Sequence, residues 1–365
     1  MRLCLLLSMT LALAACQLPR PTAVASDVAE NKCPTSDEPA AEASLLYVTL
    51  RLPLCPPPAS VEPSRYRASR PQFAAAADGL TVLVSEQAWQ NTLSRQVALH
   101  GGRPPILFIH GYNNSNADAL TRARAISAAI GGTRPVIALT WPSYDEMPAY
   151  FWDETNAEWG LIQARRVIGE LARKYPHLII VAHSMGNRFA VDAITDLRSK
   201  GLLSKVDRVV MASADVDRPT LRQMAVPNGL GVPVTIYASR EDEALSFSWR
   251  LHGYPRVGDL RQWVKGTLTA YAFSEAAGVE VVETSDLKHG DFVAHSDFIS
   301  TPEGAADLCR VLLGLPDAGA RTHLASAPVN YFQLQRGALG QLPCSANAAS
   351  AVRIATQVPA RAPRR

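Results

Sequence analysis

The chain has little excess charge, no visible internal repeat and no long apolar run beyond its first residues. Its 36 Lys and Arg and 33 Asp and Glu give a formal net charge of +3, which is too small to predict a nucleic-acid partner. No later apolar run reaches the length of about 20 residues that a transmembrane helix needs. The composition, 47% hydrophobic and 19% charged over 365 residues, is typical of a globular protein with one large core.

The amino terminus has the pattern of a secretory signal. A short charged start, Met1-Arg2, precedes an apolar stretch that ends in Leu13-Ala14-Ala15-Cys16 and is too short for a stable anchor. This ending resembles the bacterial lipobox, in which the cysteine becomes the lipidated first residue of the mature protein. We therefore expect a signal peptide over residues 1–15 and export to the bacterial cell envelope. Lipid on Cys16 would hold the protein to a membrane, at the outer membrane or the periplasmic face. An ordinary signal peptide cut nearby is the alternative.

The cysteines agree with export. If Cys4 is removed with the signal and Cys16 is lipidated, four remain: Cys33, Cys55, Cys309 and Cys344. An exported compartment is oxidising, so two disulfides are predicted, and proximity along the chain favours Cys33–Cys55 and Cys309–Cys344. The alternative is that some of the four stay buried as free thiols.

Strand and helix patterns alternate between two segments of low complexity. Residues 16–44 are rich in Ala, Pro, Ser, Asp and Glu, which predicts a flexible tether, and residues 341–365 are predicted to be a disordered basic tail. Between them we expect one domain over residues 45–340. Because its strands alternate with helices, the sheet should be mostly parallel and covered by helices on both faces.

The predicted elements follow from the spacing of the apolar residues. Strands are expected at residues 45–51, 80–84, 106–109, 136–140, 178–183, 206–212, 234–238 and 279–282. The clearest helices are expected at residues 117–130, 157–175, 189–200 and 302–313. The proline-rich segment around residues 56–58 is expected to be a loop, and residues 331–334 a late strand or a packed arm.

The most informative segment is Leu178 to Asn187, which reads L-I-I-V-A-H-S-M-G-N. Its unalternating apolar run is typical of a strand buried on both faces of a parallel sheet, and helical spacing follows it. Ser184 would therefore lie on a sharp strand-to-helix turn with small neighbours at Ala182 and Gly186. This is the nucleophile elbow of a serine hydrolase.

A serine nucleophile needs a general base and an acid that orients the base, in the order serine, acid, histidine along this type of chain. Asp242 follows the strand at 234–238 and is our candidate acid; Asp215 and Asp217, after the preceding strand, are the alternatives. Each aspartate could instead cap a helix. His295 follows the last predicted parallel strand and is our candidate base, with His289 as the competitor.

Negative charge that develops on a carbonyl oxygen needs hydrogen-bond donors. One donor in this arrangement is the backbone N–H after the nucleophile, here Met185. The other comes from the loop after an earlier strand, where Phe108-Ile109-His110-Gly111-Tyr112-Asn113 occurs. We predict the Tyr112 amide, with Asn113 as the alternative, and expect His110 to order this loop rather than to catalyse.

Together these motifs resemble the α/β-hydrolase superfamily, closest to a bacterial esterase/lipase-like group of poorly characterised function. The resemblance covers about residues 45–334 and also includes Trp141-Pro142-Ser143 and Tyr237-Ala238-Ser239-Arg240. It implies the α/β-hydrolase fold, the Ser-His-Asp logic and no cofactor or metal, but no particular substrate. Leu50 is a departure, since the group tends to have a polar residue there.

The expected activity is hydrolysis of a small carboxylic ester through an acyl-enzyme. The aromatic segment at residues 144–153 could line an acyl pocket or pack against the sheet edge, and the sequence does not separate the two. Without a long amphipathic insertion to act as a lid, a modest-sized ester is favoured over bulk triacylglycerol. A non-catalytic binding lipoprotein is the rival interpretation, and thioesterase, amidase or acyltransferase activity would use the same residues.

Overall fold

The computed structural model of the protein describes residues 33–37, 45–54, 62–77, 80–144, 149–261, 276–317, 319–323 and 330–358. Its centre is an 11-stranded sheet with the order β10-β11-β9-β8-β7-β6-β4-β5-β1-β2-β3. The eight strands from β11 to β1 in this order are parallel, and antiparallel pairs close both ends of the sheet. The predicted α/β-hydrolase architecture is confirmed.

The strand bounds match most of the predicted ones. They are β1 (Leu45–Leu54), β2 (Glu62–Ala77), β3 (Leu80–Val84), β4 (Ile106–Ile109), β5 (Val136–Thr140), β6 (Leu178–His183), β7 (Val206–Ala212), β8 (Val234–Ala238), β9 (Val279–Glu283), β10 (Arg321–His323) and β11 (Tyr331–Leu334).

The helices connect these strands and cover the sheet. They are α1 (Glu86–Leu99), α2 (Asn116–Ala129), α3 (Tyr150–Lys174), α4 (Asn187–Ser199), α5 (Arg218–Ala225), α6 (Glu243–His252), α7 (Asp297–Ser300), α8 (Pro302–Leu313) and α9 (Ser345–Ala355). None of the described helices is long and apolar enough to span a membrane.

The central strands bury both of their faces. In β4 every residue is buried; Leu107 and Ile109 join an apolar layer shared with α1, α3 and α4. Ile106 and Phe108 point the other way, into a layer shared with α2, α8 and α9. Since successive side chains of a strand alternate between faces, both positions are apolar only where helices cover both. The continuous apolar runs of the sequence have this cause.

The largest difference from the sequence prediction is β2, a strand of 16 residues where the sequence predicted no element. The loop expected around residues 56–58 lies outside the described residues. Proline within a segment argues against a strand. Pro71, however, lies where the β1–β2 register shifts, between the Thr49–Gln72 and Arg51–Arg67 pairs. A proline is tolerated at such an irregularity because the ladder hydrogen bond there is already lost. Helix α1 was also missed, since its sequence is largely polar.

The predicted disordered tail from residue 341 is wrong for most of its length. Helix α9 occupies Ser345–Ala355 and buries Ala348, Ala351 and Ala355 in the apolar layer shared with α2 and α8. Alanine side chains are small enough to allow close helix packing. In the sequence, the same abundance of small residues had indicated disorder. Residues 359–365 lie outside the described residues.

One predicted disulfide is confirmed. Cys309 of α8 is bonded to Cys344, immediately before α9. Cys33 is disulfide-bonded as well, but Cys55 lies outside the described residues, so the Cys33–Cys55 pair stays a prediction. Residues 1–32, with the signal peptide, Cys16 and most of the tether, also lie outside them.

Candidate active site

The candidate catalytic residues lie on loops at one edge of the sheet. Strands β4, β6, β8 and β9 run parallel, so their carboxyl ends at Ile109, His183, Ala238 and Glu283 share that edge. In open α/β sheets, ligands bind beyond this edge. The predicted nucleophile, acid, base and oxyanion loop each follow one of these four strands.

Ser184 is held in a strained turn. It follows β6 with a φ of 52°, a left-handed conformation that is rare for residues other than glycine. The chain then makes a short 3₁₀ turn, Ser184–Gly186, and enters α4 at Asn187. A Cβ atom on Gly186 would lie 2.5 Å from the His110 carbonyl oxygen, so only glycine lets the turn pass so close to the loop after β4.

The backbone of this turn is fixed from two further sides. The Asn187 side-chain amide donates to the carbonyl oxygens of Ser184, at 3.0 Å, and of Ala212, at 3.2 Å. The backbone N–H of Asp215 also donates to the Ser184 carbonyl, at 3.2 Å. On the other side, a Cβ on Gly111 would lie 2.6 Å from the Ser184 Cβ. The serine is therefore oriented by its surroundings before any ligand binds.

Asp242 and His295 form a close buried pair. His295 Nδ1 lies 2.8 Å and 2.9 Å from the two carboxylate oxygens of Asp242. The Asp242 side chain is fully buried, and that of His295 is 14% exposed. Burial alone would lower the pKa of His295, but the Asp242 charge and this hydrogen bond raise it above its usual value. With Nδ1 facing the carboxylate, Nε2 is the nitrogen left for proton transfer.

His183, the last residue of β6, connects the nucleophile turn to the base. Its Nε2 lies 2.8 Å from the His295 carbonyl oxygen, and the two rings are 4.8 Å apart. Burial, then the neighbouring His295 and Arg122, lower the pKa of His183 well below its usual value. The neutral ring donates from Nε2, because a carbonyl can only accept. This hydrogen bond therefore places His295 beside His183, the residue that immediately precedes Ser184.

The loop that carries His295 is also strained and internally bonded. The Asp291 carboxylate accepts from the backbone N–H groups of Val293 and His295, both at 3.1 Å. Ala294 has a φ of 50°. Of the five described non-glycine residues with positive φ, four lie at this edge of the sheet: Asn113, Ser184, Ser213 and Ala294. Strain of this kind concentrates at functional sites.

The alternative acids, Asp215 and Asp217, bind groups other than a histidine. The Asp215 carboxylate pairs with Arg256 Nε at 3.1 Å and accepts from Tyr150 and Ser248 at 2.5 and 2.6 Å. Burial would raise the pKa of Asp215, but Arg256 and Arg188 lower it. Asp217 caps α5 by accepting from the Thr220 N–H at 2.8 Å. Neither carboxylate contacts a histidine in the part of the chain that the structure describes.

The competing base is occupied as well. His289 Nδ1 lies 2.7 Å from an Asp297 carboxylate oxygen. Asp297 begins α7 only eight residues after His289, whereas His295 meets the carboxylate of the distant loop after β8. The predicted caps were also correct in part, since Asp242 accepts from the Leu245 N–H at 2.9 Å and caps α6. One carboxylate thus caps a helix and holds the histidine.

The predicted oxyanion loop lies against the nucleophile turn, as the Gly111–Ser184 contact requires. His110 orders it: its Nδ1 donates to the Gly111 carbonyl at 2.8 Å, and its Nε2 accepts from the Trp141 N–H at 3.0 Å. Burial and the charge of Arg51 lower the pKa of His110 to about 3. A neutral ring stacked on the Trp141 ring is a structural element, as expected from the sequence.

The aromatic segment lies partly in the site. Tyr150 is buried, and its ring packs 5.2 Å from that of Tyr112, while its hydroxyl reaches Asp215. Phe151 is 57% exposed, and residues 145–148 are outside the described set. Tyr150 thus belongs to the carboxyl edge rather than to the end of the sheet. Among the described residues, no group of three or more His, Cys, Asp and Glu side chains is placed to hold a metal ion.

The family model of alpha/beta hydrolases of unknown function (DUF900) matches residues 85–311. The chain belongs to this family. The match includes the elbow, the Asp242–His295 pair and the loop after β4. No curated protein matches the chain. The family description gives this alpha/beta hydrolase a fold and a broad class of activity, but no substrate.

Several solved structures are similar to this alpha/beta hydrolase at low identity. A protein of the alpha/beta superfamily from Xanthomonas campestris pv. campestris is 13% identical, with 58% of this chain and 100% of that chain covered and a TM-score of 0.35. An esterase from Pyrobaculum calidifontis is 13% identical, covering 70% and 76%, with a TM-score of 0.29. An esterase from Rhizomucor miehei is 11% identical, covering 79% and 84%, with a TM-score of 0.29.

Proposed function

We propose that this alpha/beta hydrolase is a serine esterase that cleaves carboxylic esters through an acyl-enzyme. The observation that carries the proposal is the buried Asp242–His295 pair, joined through His183 to the strained turn of Ser184. A fold by itself does not fix function. A histidine that is oriented by a buried carboxylate, next to the strand-to-helix turn that carries a serine, is the arrangement that activates a serine nucleophile.

In the proposed reaction His295 Nε2 takes the proton from Ser184 Oγ as Oγ attacks the ester carbonyl carbon. The carbonyl oxygen becomes an oxyanion, and the amides of Tyr112 and Met185 donate to it. His295 then gives the proton to the leaving alcohol, and the C–O bond breaks to leave an acyl group on Ser184. Water, deprotonated by His295, attacks this acyl-enzyme; release of the acid returns the proton to Ser184. Asp242 stabilises the imidazolium in both halves.

A panel of p-nitrophenyl esters with short and long acyl chains tests this activity, with amide and thioester analogues beside it. We expect turnover of esters above the other two classes and its loss in Ser184→Ala. Turnover that survives in Ser184→Ala, or preferred cleavage of amides or thioesters, would contradict the proposal. Absence of all turnover would instead favour a non-catalytic binding protein.

We also propose that the protein is exported and attached through lipid on Cys16, so that its substrate is met in the cell envelope. Support comes from the Leu13-Ala14-Ala15-Cys16 pattern and from a disulfide that an oxidising compartment would maintain. Detergent-phase partitioning of the expressed protein tests it. We expect partitioning in the wild type and its loss in Cys16→Ser; equal partitioning of the two would overturn the proposal.

A further inference from the structure

Asp153, in the first turn of α3, is a fully buried carboxylate that the proposed reaction does not use. Its partners all lie in two loops. It accepts from the backbone N–H of Asn113 at 3.2 Å and from the backbone N–H of Tyr144 at 2.6 Å. It also accepts a short hydrogen bond from the Ser143 hydroxyl. One carboxylate therefore joins the loop after β4 to the loop after β5.

Ser143, the last residue of the Trp141-Pro142-Ser143 motif, extends this connection by one residue. While its hydroxyl donates to Asp153, its Oγ accepts from the backbone N–H of Asn114 at 3.1 Å. Two successive amides of the loop after β4, those of Asn113 and Asn114, are thus fixed by side chains that are themselves buried. The motif, which the sequence analysis left without a role, has one here.

Arg51 of β1 holds the carbonyl side of the same two loops. It is 2% exposed and donates to the Asn114 carbonyl at 2.7 Å and to the Ser143 carbonyl at 3.2 Å. Burial of a guanidinium is costly unless its donors are satisfied, and its donors here are directed at backbone oxygens. Leu50, the position at which the resembled group tends to have a polar residue, precedes Arg51 in β1 and is buried in the apolar core.

We propose that Asp153, Ser143 and Arg51 are positioning residues that hold the backbone of residues 112–114 so that its amide faces the oxyanion formed at Ser184. We call these three side chains the loop clamp. The proposal rests on the proposed esterase function for its catalytic consequence. The structural part of the proposal, that the loop is held at both its amide and its carbonyl groups, does not depend on that function.

Two further observations separate the loop clamp from an ordinary stabilising network. Asn113 has a φ of 56°, so the segment that is held is one that would relax if released. Burial raises the pKa of Asp153 from 3.8 to about 6, against the lowering effects of its hydrogen bonds and of Arg51. A folded-state pKa above the unfolded value means that stability falls as pH rises through that interval. The ionised carboxylate is therefore held at a cost in stability at neutral pH.

Kinetics of Asp153→Asn and Ser143→Ala test the role. Loss of one oxyanion donor costs about 100-fold to 1000-fold in kcat, so a loosened loop should lower kcat by about 10-fold to 100-fold for Asp153→Asn and less for Ser143→Ala. KM should change little, because the oxyanion forms only in the transition state. Tyr331→Phe is the matched control: it removes another buried hydroxyl-to-carboxylate hydrogen bond, to Glu283 at 2.5 Å, and should leave kcat unchanged.

The pH profile gives a readout that general destabilisation would not produce. The charged and titratable groups facing Asp153 are Arg51 and Tyr112, and Asp118 faces Arg51 in turn. Protonation of His295 gives the acid limb of log kcat/KM a slope of one. Below about pH 6 protonation of Asp153 should steepen this limb toward two, and the steepening should be absent in Asp153→Asn. If the acid limbs of log kcat/KM had the same slope in the wild type and in Asp153→Asn, the proposal would be overturned.

Hydrogen exchange measured by mass spectrometry keeps the loop clamp testable even if the protein hydrolyses no ester. We expect faster exchange of the amides in residues 112–115 in both Asp153→Asn and Ser143→Ala, with unchanged exchange in the central strands and in Tyr331→Phe. Unchanged exchange in residues 112–115 overturns the loop clamp. If instead exchange rises while no ester is turned over by the wild type, the proposed function fails and the loop clamp stands.

Discussion

Two buried carboxylates in different regions of this alpha/beta hydrolase lie in opposite electrostatic settings. At the carboxyl edge, Asp153 is satisfied mainly by two backbone amides and one hydroxyl, and its pKa is raised. In the stapled region, which we define as α8, β10, α9 and the Cys309–Cys344 bond, Asp307 accepts from Arg321 at 2.7 Å and Arg310 at 3.1 Å. These charges outweigh burial and lower the pKa of Asp307.

The difference separates groups that stabilise the fold from groups that shape the site. Asp307 meets two cations, so its charge is compensated where it is buried. Asp153 accepts hydrogen bonds from backbone groups of a strained loop, so its charge holds the conformation of that loop at a cost in stability at neutral pH. Backbone strain follows the same division: the described residues with positive φ between α8 and α9 are all glycines, whereas Asn113, Ser184, Ser213 and Ala294 are strained at the carboxyl edge.

The largest expected effect is that of Asp242→Asn on catalysis. Loss of the carboxylate charge and of the correct histidine tautomer costs about 10⁴-fold in kcat in a comparable triad. Stability should change little, because asparagine remains a good helix cap and Asp242 caps α6. Steady-state kinetics with thermal melting measure both quantities.

Asp217→Asn is the matched control for that variant. It makes the same substitution at the cap of α5, away from His295, and should retain wild-type kcat. If Asp217→Asn or the corresponding change at Asp215 lost activity while Asp242→Asn kept it, the acid would be misassigned.

In the stapled region, Asp307→Asn should affect stability rather than chemistry. Removing one partner of a buried ion pair leaves the other charge uncompensated and costs about 3–5 kcal/mol. Urea unfolding should show this loss, while kcat per folded molecule stays unchanged. Because the pKa of Asp307 is lowered, its contribution exists above the unfolded pKa near 4 and disappears as pH falls. The difference between wild type and variant should therefore shrink in acid; a constant difference would argue against the ion pair as its cause.

Removal of the disulfide should have a somewhat smaller effect. The Cys309–Cys344 bond closes a loop with a sequence separation of 35, for which loop-closure entropy predicts a loss of about 3–4 kcal/mol. The double variant Cys309→Ser/Cys344→Ser should unfold at lower urea and keep its kcat. A fall in kcat per folded molecule would show that the stapled region and the carboxyl edge are coupled, and the comparison would fail.

The sequence predicted what depends on local pattern. Buried parallel strands read as apolar runs because both faces are covered, and the elbow was visible because a sharp turn needs small neighbours around Ser184. By contrast β2 was missed, since Pro71 is tolerated only because of a register shift with β1. Such a shift is a property of two strands and cannot be read from one.

The candidate site shows the same limit. Asp215 and Asp242 both follow parallel strands and both precede helices, so spacing alone left both open; only three-dimensional partners, Arg256 for one and His295 for the other, separate them. Asp153 was invisible as a functional residue because its partners are backbone amides of other loops. The Trp141-Pro142-Ser143 motif was the one available signal, and it became interpretable once Ser143 was seen to bind Asp153.

The central claim is that Ser184 is a nucleophile activated by His295 and Asp242. The most direct measurement is peptide mapping by mass spectrometry after reaction with a fluorophosphonate. We predict a single adduct on Ser184 in the wild type, much slower formation in Asp242→Asn and none in Ser184→Ala. An adduct on another residue, equal modification of wild type and Ser184→Ala, or no adduct at all would contradict the account.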